Sequence, residues 1–236
     1  QSGDDVKLMG EICELLEGLP LAIELAAAWA STMSLQEILS EVSENLDFLE
    51  SEWADGEAGH GSLRVIFDSS WALLSAAEQG ALRGLSIFRH RIAPQAAEAV
   101  AGADRKMLHG LIDKSLVRRF GHGAFRLPRL VRTFAEERRA SDPENAQRIE
   151  QNFIAYYAAQ LGEHVDAIRS GNSPEFAEAV EDYDNISFAW DLASQPSQYI
   201  QALNRMSRGL FHLFEQLSRY SAGVEIFEAT LSKLEN

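Results

Sequence analysis

Apolar residues recur at the three- and four-residue spacing of amphipathic helices along most of the chain. Near the start, this spacing predicts a helix over 4–17, a second over 20–30, and a third opened by the capping-box pair Ser34 and Glu37. Pro20 stands inside an apolar run, where a proline costs about 3 kcal/mol unless it occupies the first turn of a helix. One helix is therefore expected to end before Pro20 and another to begin there.

The pattern changes in the middle of the chain, after a glycine- and acid-rich stretch over 52–61 that predicts a linker. Helical spacing resumes at residue 63, but two short β-prone runs over 116–120 and 124–127 interrupt it, with glycines in the turn between them. Helix-start signals precede these runs at Ser75, Pro94 and Asp104. Three helices, a hairpin and a trailing helix from Leu130 predict a winged-helix domain.

The last part of the chain reads as helical throughout, in amphipathic segments of 15–25 residues that suggest the start of a superhelical array. We interpret the acidic pair Glu181 and Asp182 as a solvated helix face. The predicted fold class is mainly α. It consists of a helical lid domain over 1–52, a winged-helix domain with one small β-hairpin over 63–140, and an α-helical superhelical (TPR-like) domain over 145–236.

Composition narrows the class of protein. Hydrophobic residues make up 46% of the chain, which suits a globular protein, and no apolar run reaches the 18 residues of a membrane span. No secretory signal pattern is visible. The single cysteine, Cys13, cannot form an internal disulfide, in agreement with a reducing compartment, and its spacing predicts a buried side chain. We therefore expect a cytoplasmic protein that makes no membrane contact.

Charge is divided unevenly along the sequence. Residues 1–62 carry one lysine against fourteen acidic residues, a balance of −13, and residues 141–236 carry a balance of −9. Between them, residues 63–140 carry fourteen lysines and arginines against seven acidic residues, a balance of +7. A basic middle flanked by acidic ends predicts three units with different surfaces, and the middle unit could dock onto its neighbours.

Several segments, taken in order, resemble bacterial STAND/NB-ARC-type signalling ATPases, among them LuxR/SARP-like transcriptional regulators. The first is Gly18-Leu19-Pro20-Leu21, which is similar to the GLPL motif of that family. The others follow in the family's order at 62–71, 74–79, 82–88, 96–100, 111–117 and 181–186, the last followed by Ala189-Trp190. The resemblance covers nearly the whole chain.

The resemblance implies a switch built around bound nucleotide. In the family, a P-loop domain comes first, followed by the GLPL helices, a winged helix and a repeat sensor, and the GLPL proline lies against the adenine. Leu19 and Pro20 are therefore the implied adenine-side residues. This chain has no Gly-x-x-x-x-Gly-Lys-[Ser/Thr] motif, so it is expected to begin after the P-loop domain and not to hydrolyse ATP by itself.

The family also places a Met-His-Asp type motif at the start of the last winged-helix helix, where its histidine touches the β-phosphate of ADP. The matching positions here are Leu127, Pro128 and Arg129, and Pro128 has no side-chain donor. A helix N-terminus there still suits an anion, and Arg126 or Arg129 could supply the missing donor. The alternative is that both arginines meet acidic patches of the neighbouring units.

These implications give a set of expected sites and partners. The nucleotide-binding set is Leu19, Pro20, Arg126, Pro128 and Arg129, with no catalytic residue and no metal ligand. ADP or ATP is expected only with the P-loop domain of the same polypeptide. The remaining expected partner is a protein or small-molecule inducer at the repeats.

Other function classes stay open on the sequence alone. A winged helix invites DNA binding, through basic residues and histidines on its third helix and wing, but the acidic flanks together with Asp104 and Asp113 weigh against it. Those residues are Arg105, Lys106, His109, Lys114, Arg118, Arg119 and His122. A helical scaffold could instead bind a peptide along Phe211, Phe214, Tyr220 and Phe227, although this spacing is more typical of a core. An enzyme has the least support, because the histidines are scattered and no His-Glu-x-x-His motif occurs.

Overall fold

A computed structural model gives the architecture of the chain, which is mainly helical with one small antiparallel hairpin. The structure does not describe residues 17–22, part of the segment from 23 to 28, or the predicted linker. The predictions for Leu19, Pro20 and 52–61 therefore lie outside the described residues. The structure describes residues 2–16, 23, 26–27, 29–44, 63–121, 123–195 and 199–234.

In the first unit, two helices pack against each other. Helix α1 (Ser2–Leu15) packs against α2 (Leu35–Glu44), and their shared core includes Ile12 and Ile38. The predicted capping box at Ser34 is confirmed, since the Ser34 N–H donates to Glu37 Oε2 at 2.8 Å and the Glu37 N–H donates to Ser34 Oγ at 3.3 Å. The prediction that Cys13 is buried is wrong. Its side chain is exposed, because the buried stripe of α1 passes through Ile12 and Leu16 instead.

The middle unit has the predicted helix–hairpin–helix order of a winged helix. The start signals act as expected: Ser75 and Glu78 form a complete capping box, Pro94 lies in the first turn of its helix, and Asp104 Oδ1 accepts the Met107 N–H at 2.7 Å. The elements are α3 (Leu63–Ala72), α4 (Ala76–Leu85), α5 (Pro94–Ala101), α6 (Arg105–Asp113), β1 (Arg118–Phe120), β2 (Ala124–Arg126) and α7 (Arg129–Ala140).

The hairpin is shorter than predicted and gains one extra pairing. Strands β1 and β2 are antiparallel, and the turn between them uses Gly121 and Gly123, whose φ values of 50° and 81° favour glycine. Ile92 adds an isolated antiparallel bridge on the other side of β2, with its N–H donating to the Phe125 carbonyl at 2.8 Å. This bridge ties the segment before α5 to the hairpin.

The last unit is helical, as predicted, but it is divided more finely. The predicted 15–25-residue segments are wrong for three helices, because Gly171 at φ 69° ends one helix, Ser173 caps the next, and the chain turns at Asp182. These three helices contain 6, 8 and 11 residues. The elements are α8 (Pro143–Glu163), α9 (Val165–Ser170), α10 (Pro174–Glu181), α11 (Tyr183–Ala193), α12 (Ile200–Gln216) and α13 (Tyr220–Leu234).

The middle and last units share one hydrophobic core. Helix α8 is central to it, since α5 and α7 pack on one part and α12 packs along another. Phe88 of the middle unit meets Phe153 of α8 edge to face, with ring centroids 5.3 Å apart. Helices α8 and α12 approach so closely at Gly209 that a Cβ there would lie 2.5 Å from the Leu161 carbonyl oxygen.

Candidate functional site at the joint between the winged helix and the helical array

Three of the predicted nucleotide-binding residues lie together, where β2 leads into α7. Pro128 is buried and extended (φ −54°, ψ 143°) and directly precedes α7. Arg129, the first residue of α7, is exposed, and its Nη2 lies 3.5 Å from the Ser43 carbonyl oxygen in the last turn of α2. The start of α7 therefore lies beside the first unit. The other two predicted residues, Leu19 and Pro20, lie outside the described residues.

Arg126 belongs to a pair of like charges. In the hairpin register Arg126 lies directly opposite Arg118, an arrangement that is unfavourable for a cross-strand pair. The Arg126 guanidinium lies 5.5 Å from the centre of the Phe120 ring, and neither arginine forms an ion pair with any described residue. This face of the hairpin therefore carries positive charge that an anion would stabilise.

A second cluster joins the winged helix to the helical array, and its centre is Asn185 of α11. The Asn185 side chain is buried, and its amide pairs with the backbone on either side of His90. Its Oδ1 accepts the Arg89 N–H at 2.8 Å, and its Nδ2 donates to the Arg91 carbonyl at 2.7 Å. The Asn185 amide thus satisfies one backbone donor and one backbone acceptor of the 89–91 segment, as a neighbouring strand would.

Arg91 extends the same contact through its side chain. Its Nη1 lies 2.6 Å from Asp182 Oδ1, and its Nε lies 3.0 Å from Glu181 Oε2. The hydroxyl of Tyr157 donates to the other Asp182 oxygen at 3.3 Å. Asp182 is only 3% exposed, so this ion pair lies within the protein and has partners on both carboxylate oxygens. We call Arg89, Arg91, Asp182 and Asn185 the interdomain joint.

Arg89 completes the joint from the winged-helix side. Its guanidinium stacks 3.5 Å from the centre of the Phe188 ring on α11, and its carbonyl accepts from Arg132 Nη1 of α7 at 2.7 Å. The 89–91 segment is therefore held between α7 on one side and α11 on the other. The segment therefore connects α11 to α7 through direct contacts.

Burial dominates the electrostatics of the joint. It raises the pKa of Asp182 to about 6, although the hydrogen bond and the charge of Arg91 act in the opposite direction. Burial also raises the pKa of Tyr157 well above its usual value, which keeps that hydroxyl a donor. The joint therefore contains a carboxyl group that titrates closer to neutrality than an exposed one.

Sequence reasoning missed the joint. The interpretation of Glu181 and Asp182 as a solvated pair is wrong for Asp182, because the chain turns there and directs it into the protein. A signal was available: Asp182 and Asn185 lie at the same helical spacing as the buried residues Ile186 and Ala189. Polar residues on an apolar stripe need buried partners.

The residues behind the DNA-binding alternative separate into two groups. Lys114 is engaged, with its Nζ 2.6 Å from Glu78 Oε1, and His122 lies outside the described residues. Arg105, Lys106 and His109 are exposed on α6, and on β1 Arg119 is exposed whereas Arg118 is half-buried. Arg105, His109 and Arg119 line one groove of about 220 Å³ between the helix and the hairpin.

The aromatic residues of the scaffold alternative also separate. Phe214 is buried and Phe227 is half-buried, and they pack in the core of the array with their ring centroids 6.5 Å apart. Phe211 and Tyr220 are 54% and 62% exposed, so these two do not belong to the core. The four residues therefore do not line a single groove.

Two kinds of feature are absent from the described part of the chain. Within it, no three His, Cys, Asp or Glu side chains converge in a way that could hold a metal ion. None of its helices combines the length and the apolar character needed to cross a membrane.

Comparison with known proteins gives distant relatives. The chain is 31% identical over 234 residues to a Mycobacterium tuberculosis protein provisionally named an HTH-type transcriptional regulator, an alignment covering 92% of this chain and 26% of the relative. A Mycobacterium bovis protein of the same description matches equally. An uncharacterized protein of M. tuberculosis is 30% identical over 183 residues, covering 72% of this chain and 45% of the relative.

The chain spans less than half the length of these curated relatives. No family model matches it, and no solved structure matches it.

Proposed function

We propose that this chain is the regulatory region of a transcriptional regulator, in which the winged helix and the helical array move together as the signalling half of a STAND-type nucleotide switch. The observation that carries the proposal is the interdomain joint, where α11 of the array binds the backbone of the 89–91 segment through Asn185. The provisional name of the relatives as transcriptional regulators supports the regulatory role.

The nucleotide would lie between the first unit, the start of α7 and a P-loop domain of the same polypeptide. Two observations support this location. Arg129 reaches the last turn of α2, and the uncompensated pair Arg118 and Arg126 favours an anion beside the hairpin. ADP would hold these elements closed, and an inducer or partner bound by the array would favour the open form through the joint. ATP turnover would belong to the P-loop domain.

The test is ADP binding to a polypeptide that carries the P-loop domain ahead of this chain, followed with a fluorescent ADP analogue. Loss of a charge-assisted hydrogen bond costs about 1.5–3 kcal/mol, so Arg126→Gln or Arg129→Ala should weaken binding about 10- to 100-fold. Pro20→Ala should weaken the adenine contact. Arg208→Gln, at an exposed arginine of α12, is the matched control and should bind as the unaltered protein does.

The joint is tested in the same assay. Asn185→Asp keeps the acceptor but removes the donor to the Arg91 carbonyl, so it should change the ADP dissociation rate at least fivefold without touching the nucleotide. Asn152→Asp, at an exposed position on α8, should not. An unaltered polypeptide that fails to bind ADP would overturn the nucleotide switch. Unchanged dissociation in Asn185→Asp would overturn the coupling.

A further inference from the structure

The basic residues of the middle unit fall into two classes by their contacts. Most are engaged: Arg91 pairs with Asp182, Lys114 with Glu78, Arg138 with Asp68, and Arg139 with Glu150. Among the described side chains of this unit, Arg105, Lys106, Arg118 and Arg119 form no hydrogen bond, ion pair or ring contact with any described residue. Positive charge that does not serve folding is therefore concentrated on α6 and the hairpin.

Two of these four cations lie on one side of the winged helix, and a third is adjacent to one of them in the chain. Arg105 and Arg119 line the groove between α6 and the hairpin together with His109, and Lys106 lies next to Arg105 in the first turn of α6. The side chains of Arg105, Lys106, His109 and Arg119 are all exposed. We call Arg105, Lys106, His109 and Arg119 the open basic face. Arg118 lies in register with Arg126, on the opposite side of the hairpin from Arg119.

The placement of these charges is unfavourable for the free protein. Arg105 and Lys106 occupy the first turn of α6, the positive end of the helix dipole, where a cation is disfavoured and an anion is stabilised. The carboxylate of Asp104, which caps α6, offsets only one of these two cations. Asp113 lies about 10 Å further along the helix axis from Lys106. An external anion beside the first turn would relieve this arrangement.

The shape of the face selects the kind of anion. In helix-turn-helix folds, the N-terminal turn of the second helix of the motif approaches the DNA, and arginine and lysine side chains around such a helix contact the backbone phosphates. Here the cations lie on that first turn and on β1, with an open groove of about 220 Å³ between them. We propose that the open basic face binds the sugar-phosphate backbone of duplex DNA. The proposal does not rest on the nucleotide switch.

The experiment measures binding of the 236-residue chain to a labelled duplex of mixed sequence by fluorescence anisotropy. Three phosphate contacts predict a slope of about −2.7 for the logarithm of the binding constant against the logarithm of salt concentration, or about a 40-fold loss between about 50 and 200 mM. The double variant Lys106→Glu/Arg119→Glu should bind at least tenfold more weakly and lose about two units of slope.

The matched control is Arg208→Glu/Lys233→Glu, which makes the same change in net charge at two exposed residues of the array. It should keep the slope and bind within about twofold of the unaltered chain. Circular dichroism melting should confirm that both variants remain folded. Sodium poly-glutamate at matched charge should fail to displace the duplex.

Three results would overturn the proposal. The first is no change in anisotropy at about 20 mM salt. The second is an equal loss of binding in the two double variants, which would reduce the effect to net charge. The third is displacement of the duplex by poly-glutamate at equal or lower charge concentration, which would make an acidic protein segment the better occupant of the face.

Discussion

The interdomain joint and the open basic face lie on the same winged helix, and both are built from arginines that the sequence does not distinguish. In the joint, Arg91 lies against a carboxylate that is 3% exposed, and Arg89 stacks on an aromatic ring. On the open face, Arg105 and Arg119 have no partner among the described residues. The arginines of the joint therefore serve folding, whereas those of the open face remain available for a ligand.

The largest effect is expected from removing the joint's guanidinium. Arg91→Met leaves the buried Asp182 carboxylate without its charged partner, which should lower the free energy of unfolding by about 3–5 kcal/mol. Urea titration followed by circular dichroism measures it. The same substitution at exposed Arg208 should cost less than about 0.5 kcal/mol. Equal costs at the two positions would mean that the joint contributes nothing to stability.

A smaller loss of stability is expected when one atom of the Asn185 side chain is changed. Asn185→Asp replaces a donor to the Arg91 carbonyl by an oxygen and adds a buried charge near Asp182, so it should cost about 2–3 kcal/mol. The matched variant Asn152→Asp on the exposed side of α8 should melt within about 2 °C of the unaltered chain. Thermal melting compares the two, and an equally mild Asn185→Asp would contradict the backbone contact.

The joint should also have a pH signature. The pKa of Asp182 is about 6 in the folded protein, above its ordinary value of 3.8, so the folded state holds a proton over this range that the unfolded state releases. The contribution of Asp182 to the free energy of unfolding is therefore largest below about pH 4. It decreases as pH rises through 6, by about 3 kcal/mol in all.

Asp182→Asn isolates that contribution, since an amide keeps an acceptor for Arg91 without a titrating group. Relative to the unaltered chain, the variant should gain stability steadily as pH rises from 4 to 7, measured by urea titration at each pH. Parallel curves for the two proteins would show that Asp182 does not titrate in this window.

The smallest effects are expected on the open basic face. Lys106→Glu places an anion at the positive end of α6, which should raise stability by about 0.3–1 kcal/mol at low salt. Arg119→Glu should change it by less than about 0.5 kcal/mol. Thermal melting at low and high salt measures both, and a loss above 1 kcal/mol in either variant would mean that the residue supports the fold.

Much of the local structure could be predicted from sequence because its signals act over three or four residues. The capping boxes at Ser34 and Ser75, the cap at Asp104 and the glycine turn of the hairpin all use neighbours in the chain. The finer division of the array was missed, because a continuous apolar stripe does not reveal a turn such as the one at Asp182. The short bridge from Ile92 to Phe125 had no local signal either.

The candidate sites were predictable only in part. The sequence placed Arg126, Pro128 and Arg129 at the start of the closing helix, and they lie there, but it did not predict that Arg126 would face Arg118. It treated Asp182 as solvated, whereas the fold buries it. It named the basic residues of α6 and the hairpin without distinguishing engaged from free ones.

Local signals in the chain account for where most helices of the first and middle units begin, for the hairpin that interrupts the middle unit, and for the basic character of this unit between acidic neighbours. Which charges meet depends on the tertiary packing. Arg91 and Asn185 are joined across 94 positions of the chain, and no local propensity specifies such a pairing. It forms because packing α5 and α7 on α8 brings the 89–91 segment against α11, where buried polar groups must satisfy one another.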